Sequence, residues 1–223
     1  MKFNIITIFP NIFDSYLNES ILKRAQKNKL IDIKIHNLRD FAADKHKQVD
    51  DKPYGGGPGM VLKIEPIIKA IASILKIKKK TKIIIFSPTG KQFDNKTAAQ
   101  LAKNYDNLIL ICGRYEGIDA RINKVIQNSK FKIQNLSIGH YVLTGGEIPA
   151  MAVIDAVSRQ IPGVLGKNES LEEKRGSLGM PAYTRPEIFT YKGKKYRVPV
   201  VLLAGNHKKI NEWKTKQKIR KNN

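Results

Sequence analysis

Short apolar runs alternate with helical patterns over residues 1–160, and this alternation leaves few folds open to the chain. The runs that predict strands are residues 3–9, 31–38, 82–86, 108–112 and 131–138. The segments that predict helices are residues 11–27, 65–75, 94–103, 118–127 and 149–159, with Asp94 as N-cap and Pro149 in a first turn. Because parallel strands need long crossover connections, the pattern predicts an α/β domain built on a mainly parallel sheet with helices on both faces.

The pattern fades after residue 160, which divides the chain into three predicted parts. Residues 1–160 form the α/β domain, and Gly, Lys and Glu dominate residues 163–180, so we expect a flexible interdomain linker over residues 161–182. Residues 183–223 form a small, mostly helical C-terminal region. It contains the apolar run 199–203 and a basic helix over residues 208–221 that carries Trp213.

The charge balance indicates a polyanionic partner. Lys and Arg number 41 against 19 Asp and Glu, which gives a formal net charge of +22. Clustered cations bind nucleic acid by releasing counterions from phosphates, although a compositional bias toward Lys or an anionic membrane surface remains open. The single cysteine, Cys112, excludes an intrachain disulfide. The first residues predict no signal peptide, because Pro10 breaks their short apolar run, so we expect a cytoplasmic protein without a membrane span.

Three predicted strands end in glycine-bearing loops, at residues 87–90, 113–117 and 139–147. Ligands of open parallel sheets bind beyond the carboxyl ends of the strands, and glycine lets the backbone approach a ligand closely. The loops therefore predict a ligand site formed largely by backbone groups, the alternative being that each glycine merely ends a strand.

Several common ligand classes are disfavoured by missing motifs. The chain has no GxxxxGK[ST] phosphate loop, no GxGxxG after its first strand, no GxSxG and no CxxC. Its histidines are scattered, so no zinc site is predicted. A further glycine cluster at residues 54–60 follows His46, Asp50 and Asp51, which either contact a nucleotide or belong to a solvated loop.

Longer motifs give the chain a close resemblance to one family, the bacterial tRNA (guanine-N1)-methyltransferases of the knotted S-adenosylmethionine-dependent RNA methyltransferase class. The resemblance runs from the first strand to about residue 218. The matching runs are VDDKPYGGGPGM (49–60), ICGRYEGIDAR (111–121), YVLTGGEIPAM (141–151), DAVSRQIPGVLG (155–166), YTRPE (183–187) and LAGNH (203–207).

The resemblance implies a fold, an activity and partners. The α/β domain is expected to carry a C-terminal trefoil knot and to form a homodimer with an active site at each interface. The activity is methylation of N1 of the guanine immediately 3′ of the anticodon in tRNA, which protects the reading frame. S-adenosylmethionine is the expected methyl donor, and Mg²⁺ is associated with the reaction. Two alternatives remain: a non-catalytic RNA-binding homodimer, and an oxidoreductase that binds a nicotinamide cofactor.

The resemblance also assigns candidate site residues. Arg159 matches the catalytic arginine, and His46, Asp50 and Arg114 are expected to contact the tRNA. The residues expected to bind the cofactor are Ser87, Pro88, Gly113, Tyr115, Glu116, Gly117, Ile138, Gly139, His140, Tyr141, Val142, Leu143, Gly145, Gly146 and Pro149.

The chain departs from the family pattern at the general base. Guanine N1 carries a proton near neutral pH, so a base must remove it, while a cation such as Arg159 stabilises the charge that develops on O6. Lys174 stands where the family places an aspartate, and a lysine is normally protonated. Glu173, or alternatively Glu172, is the expected replacement. By the same resemblance, His140 replaces an aspartate, and residues 183–223 are expected to form a tRNA-binding region that is shorter than is usual in the family.

Overall fold

The computed structural model describes residues 1–75, 80–127, 131–166 and 181–219. The chain divides into two compact units, Met1–Asn168 and Glu169–Asn223, each of which is described by itself. Within the described residues, no helix is long and apolar enough to cross a membrane.

The first unit is built on a five-stranded sheet in which every strand pair is parallel. The strands of the sheet are β1 (Lys2–Thr7), β2 (Asp32–Asn37), β5 (Thr81–Gln92), β6 (Asn107–Ile111) and β7 (Lys132–Ser137). The unit also contains two short strands outside the sheet, β3 (Asp50–Asp51) and β4 (Val61–Leu62). The sheet order is β2-β1-β6-β5-β7, and β3 and β4 form a separate antiparallel pair. The order places β6 and β5 in the centre, between β1 and β7.

Helices cover both faces of this sheet. They are α1 (Asp14–Leu17), α2 (Ser20–Lys27), α3 (Ile64–Ile74), α4 (Asn95–Asn104), α5 (Arg121–Gln127) and α6 (Glu147–Arg159), with 3₁₀ turns at Pro10–Phe13 and Leu38–Phe41. Successive strand residues point to opposite faces, so Ile5 packs with α2, α4 and α6, whereas Ile6 packs with α3 and α5. The predicted parallel sheet with two helical layers is confirmed, and the trefoil knot stays a prediction.

Two predicted helices differ from the structure for local reasons. The helix predicted over residues 11–27 is broken into a 3₁₀ turn, α1 and α2, because Ser20 has a φ of 48°, which a continuous right-handed helix cannot contain. The helix predicted from residue 118 begins only at Arg121. The backbone N–H of Asp119 instead donates to the carbonyl of Leu62, 3.1 Å away. The predicted N-cap is confirmed, since the Asp94 carboxylate accepts from the Thr97 N–H at 2.7 Å.

Strand β5 extends beyond its predicted end and contains the first glycine loop. Its pairing with β7 shifts register between Phe86 and Lys91. A Cβ on Gly90 would lie 2.7 Å from the backbone of Asn135 and Leu136, so only glycine fits this approach. The first loop is therefore an excursion within a strand rather than a strand end.

The second unit contains a β-hairpin that the sequence analysis did not predict. Strands β8 (Ile188–Tyr191) and β9 (Lys194–Arg197) pair antiparallel, followed by helices α7 (Val200–Leu203) and α8 (His207–Ile219). The turn residues Lys192 and Gly193 have φ values of 47° and 75°, as a type I′ hairpin turn requires. The rings of Tyr183 and Trp213 meet edge to face at 6.3 Å and attach α8 to the segment before the hairpin.

Candidate functional site

A cavity of about 440 Å³, within the size range of small-molecule sites, lies beside the first loop within β5 and at the carboxyl ends of β6 and β7. The expected cofactor-binding residues that line it are Ser87, Pro88, Gly113, Tyr115, Glu116, Gly117, Ile138, Gly139, Tyr141, Val142, Leu143, Gly145, Gly146 and Pro149. His140 is the exception, since it is exposed and lies outside the lining. The three glycine loops therefore enclose one cavity, the second and third from positions after strands, as predicted, and the first from within β5.

The second and third loops touch through their backbones, which explains two of the glycines. The N–H of Gly146 donates to the carbonyl of Gly113 at 2.9 Å. A Cβ on Gly146 would lie 2.6 Å from Cα of Cys112, a backbone atom that cannot move aside. A Cβ on Gly145 would lie 2.3 Å from Nε of Arg114. These two positions accept no side chain while the loops stay in contact.

A buried ion pair ties both loops to the first strand. Glu147 is the first residue of α6 and only 1% exposed, and its carboxylate accepts from Nε of Arg114 at 3.0 Å and from Oγ1 of Thr7 at 2.8 Å. The Arg114 guanidinium also donates to the carbonyl of Thr144 at 3.3 Å and lies 4.7 Å from the ring centroid of Phe9. Arg114, which was expected to contact tRNA, thus makes contacts inside its own chain that position the cavity wall.

The second loop is held in an uncommon conformation by the segment that precedes α3. Tyr115 has a φ of 57° and Gly117 a φ of 121°, values that are rare outside glycine and recur at functional sites. The N–H of Glu116 donates to the carbonyl of Met60 at 3.0 Å, and the N–H of Leu62 donates to the carbonyl of Gly117 at 2.9 Å. These hydrogen bonds fix the loop against β4.

The same contacts bring the glycine cluster at residues 54–60 beside the cavity wall. A Cβ on Gly59 would lie 2.7 Å from the carboxylate of Glu116, so this glycine packs directly on a lining residue. Asp50 pairs with Leu62 across β3 and β4, whereas His46 lies in an exposed turn. Neither His46 nor Asp50 lines the cavity, so the structure places the segment at the rim without bringing these two side chains into the pocket.

Arg159 lies far from the cavity of its own chain. Pro149 lines the cavity from the first turn of α6, and Arg159 is the last residue of that helix. At a helical rise of about 1.5 Å per residue, the two residues are roughly 15 Å apart along the axis. Glu172, Glu173 and Lys174, on which the prediction of the general base falls, lie outside the described residues.

Exposed apolar side chains flank α6. Phe9, Ile12 and Tyr16 are 41%, 38% and 44% exposed. The Tyr16 hydroxyl donates to the carboxylate of Asp155 on α6 at 2.5 Å, and this hydrogen bond, with burial, raises the pKa of Tyr16 to about 12. Ile148 adds an apolar side chain that is 55% exposed on α6 itself. Apolar surface of this kind commonly marks an interaction site.

The described residues do not fit a magnesium site. No three acidic, histidine or cysteine side chains come together in that part of the chain. Magnesium prefers several oxygen ligands, and Glu116 is the carboxylate that lines the cavity.

Several residues that line the cavity were not predicted from the sequence, among them Phe86, Ile118, Asn123 and Asn135. Phe86 and Asn135 belong to strands, and Ile118 and Asn123 belong to the turn and helix after the second loop. No motif marks these residues. They could have been predicted only from their positions in the sequence, next to the glycine loops.

Comparisons with known proteins agree with this architecture. The family model described as tRNA (Guanine-1)-methyltransferase TrmD matches residues 1–223. Proteins named tRNA (guanine-N(1)-)-methyltransferase are similar to the chain over nearly its whole length. The one from Dictyoglomus turgidum is 49% identical over 99% of this chain and 86% of its own length. The one from Thermomicrobium roseum is 52% identical over 96% of this chain and 77% of its own. The one from Carboxydothermus hydrogenoformans is 50% identical, over 98% and 83%. With the glycine loops gathered around one cavity and a family match along the whole chain, this protein belongs to the tRNA (guanine-1)-methyltransferase family.

Proposed function

We propose that the chain transfers a methyl group from S-adenosylmethionine to N1 of the guanine immediately 3′ of the anticodon in tRNA, and so protects the reading frame in the cytoplasm. The observation that carries the proposal is the enclosure of one cavity by the three glycine loops of a chain in this family. Relatives named as methyltransferases favour catalysis over the RNA-binding and oxidoreductase alternatives.

The cavity residues fit S-adenosylmethionine, which supplies an electrophilic methyl group on a sulfonium. The cavity combines apolar side chains such as Ile118 and Leu143 with exposed backbone groups of the third loop. Apolar walls suit an adenine ring, and backbone N–H and C=O groups suit its edge and the ribose. The Glu116 carboxylate is the acidic group of this lining and suits the positive charge of the ligand.

The reaction at the guanine requires groups of the chain that accept the N1 proton and stabilise the negative charge on O6. The guanine has to leave its stack before its N1 can reach the cavity. Glu173 or Glu172 would accept the N1 proton, and the Arg159 guanidinium would stabilise the negative charge that develops on O6. We expect His46 and Asp50, which precede the glycine cluster at residues 54–60, to contact the incoming nucleotide.

The proposed active site needs a second copy of the chain. Arg159 lies roughly 15 Å along α6 from the cavity residue Pro149, too far for one chain to use both on one methyl group. The exposed side chains of Phe9, Ile12 and Tyr16 flank this helix and offer an apolar surface to a partner. We therefore expect a homodimer in which the cavity of one protomer works with Arg159 of the partner subunit.

A mixed dimer tests both parts of the proposal. Gly146→Ala should force the second and third loops apart and so disrupt the cavity of its own protomer, and Arg159→Ala should remove the cation. Each homodimer should fail to methylate unmodified tRNA. The differently tagged heterodimer, purified after co-expression, should regain activity, because one of its two sites combines an intact cavity with an intact arginine. An inactive heterodimer made from folded protomers would exclude the shared site, and an inactive wild type would exclude the function.

A further inference from the structure

One face of the β8–β9 hairpin presents a row of exposed aromatic rings. Residues directly opposite each other in an antiparallel pair share a face, and Phe189 is opposite Tyr196, with Tyr191 two residues along β8. The side chains of Phe189, Tyr191 and Tyr196 are 56%, 55% and 54% exposed. The rings of Phe189 and Tyr191 are 6.4 Å apart and inclined by only 11°, so their flat faces are nearly parallel.

The same hairpin is strongly basic. Residues 188–197 contain Lys192, Lys194, Lys195 and Arg197 and no acidic residue. Lys194 lies opposite Tyr191 on the aromatic face, and Nζ of Lys192 lies 5.6 Å from the Tyr191 ring centroid. Cations therefore lie beside the rings, close enough to contact the phosphate of a nucleotide whose base is stacked on the aromatic face.

We propose that this aromatic face, formed by Phe189, Tyr191 and Tyr196, stacks unpaired bases of the tRNA while Lys192 and Lys194 contact the adjoining phosphates. The proposal rests on the proposed function for the identity of the RNA. Exposed rings interleaved with cations are how proteins bind single-stranded nucleic acid, since every base has a π face. Bases inside a duplex are already stacked on both sides, so the face selects loop nucleotides.

Charge favours RNA over a protein partner as the occupant. The chain carries a net charge of +22, so a second copy would bring more positive charge against the same lysines. A polyanion gains from every one of these cations and also supplies flat rings for the aromatic face. A second copy on this face is nevertheless a distinct outcome, which the experiment below separates.

The experiment uses the full-length protein and two probes, unmodified tRNA and a short unstructured RNA. The triple variant Phe189→Ile, Tyr191→Ile, Tyr196→Ile keeps strand propensity and apolar bulk but removes the π faces. The matched control, Tyr191→Phe with Tyr196→Phe, keeps all three rings. Dissociation constants are measured over a salt series, and the oligomeric state of each variant is measured in parallel.

The triple variant should bind both probes about 5- to 150-fold more weakly for each base it fails to stack, while its salt dependence stays that of the wild type. The ring-keeping control should bind like the wild type. Lys194→Gln should instead lower the salt slope by about one. Equal binding by the triple variant and the wild type would overturn the proposal. A loss of binding that accompanies a change in oligomeric state would also overturn it, in favour of a second copy as the occupant.

Ultraviolet cross-linking of the wild type keeps the test independent of any folding defect in the variant. Cross-links of tRNA mapped by mass spectrometry should fall on Phe189, Tyr191 or Tyr196, and cross-links confined to other parts of the chain would contradict the proposal.

The binding assays need no methyl transfer. A wild type that binds through this face but never methylates tRNA refutes only the proposed function, whereas an active enzyme whose triple variant keeps its KM for tRNA refutes only the hairpin proposal.

Discussion

Replacing Arg114 by methionine should destabilise the protein strongly, because its guanidinium neutralises a buried carboxylate. The change leaves the Glu147 carboxylate, which is 1% exposed, with the Thr7 hydroxyl but without its cation. Removing one partner of a buried ion pair costs about 3–5 kcal/mol, because an uncompensated charge stays buried. The Arg114 side chain is itself 17% exposed, so the lower end of that range, about 3 kcal/mol, applies. For a chain of this size, that corresponds to a melting temperature roughly 6–12 °C lower.

The assay is urea unfolding followed by circular dichroism, with Arg121→Met as the matched control. Arg121 also pairs with an aspartate, Asp119, but is 67% exposed, so its loss should cost at most about 1 kcal/mol. Adding Glu147→Met to Arg114→Met should recover much of the lost stability, since the buried charge disappears with its partner. Similar unfolding free energies for Arg114→Met and Arg121→Met would refute the reasoning.

Three further predictions concern individual buried or closely packed residues. Gly146→Ala should abolish binding of S-adenosylmethionine by calorimetry, because the new Cβ would lie 2.6 Å from Cα of Cys112, whereas Gly166→Ala, with open space around it, should bind normally. Burial raises the pKa of the Cys112 thiol well above its ordinary value, so iodoacetamide at about pH 8 should modify it only in urea, and rapid labelling of the native protein would contradict this. Burial, with Lys34 nearby, lowers the pKa of His36, so its contribution to stability should be present above about pH 6.5 and be lost as the pH falls through the folded pKa. A His36 NMR titration midpoint above about 6.5 would contradict it.

The features that the sequence predicted well are those encoded within a few residues. The Asp94 cap needs only the Thr97 N–H three residues later, and the parallel sheet follows from the alternation of strands and helices. The cavity was predictable because parallel strands bring their carboxyl ends to one edge, and the loops at residues 113–117 and 139–147 follow β6 and β7, which lie on either side of β5.

What the sequence could not show depends either on residues far apart in the chain or on backbone conformations that the residue types do not indicate. The role of Arg114 inside its own chain arises because Glu147, 33 residues away, meets both Arg114 and the first strand. The break in the first helix depends on the left-handed conformation of Ser20, and serine is not a residue type that predicts this conformation. The hairpin escaped prediction because its I′ turn uses Lys192 and Gly193 rather than the more common Asn-Gly pair.

The distance between Arg159 and the cavity could not be predicted from the sequence, since motifs assign roles to residues but no distances between them. Motif matching treats Arg159 and the cavity residues as one site, yet α6 separates Arg159 from Pro149 by roughly 15 Å. A straight helix cannot fold its two ends together, so the second copy of the chain becomes part of the functional hypothesis.

The most direct test of the central claim is methyl transfer from labelled S-adenosylmethionine to unmodified tRNA, with the product nucleoside identified by mass spectrometry. We expect 1-methylguanine at the position immediately 3′ of the anticodon, and no transfer to a tRNA in which that guanine is replaced by adenine. Methylation at another atom or position, or no transfer by protein that still binds both S-adenosylmethionine and tRNA, would contradict it.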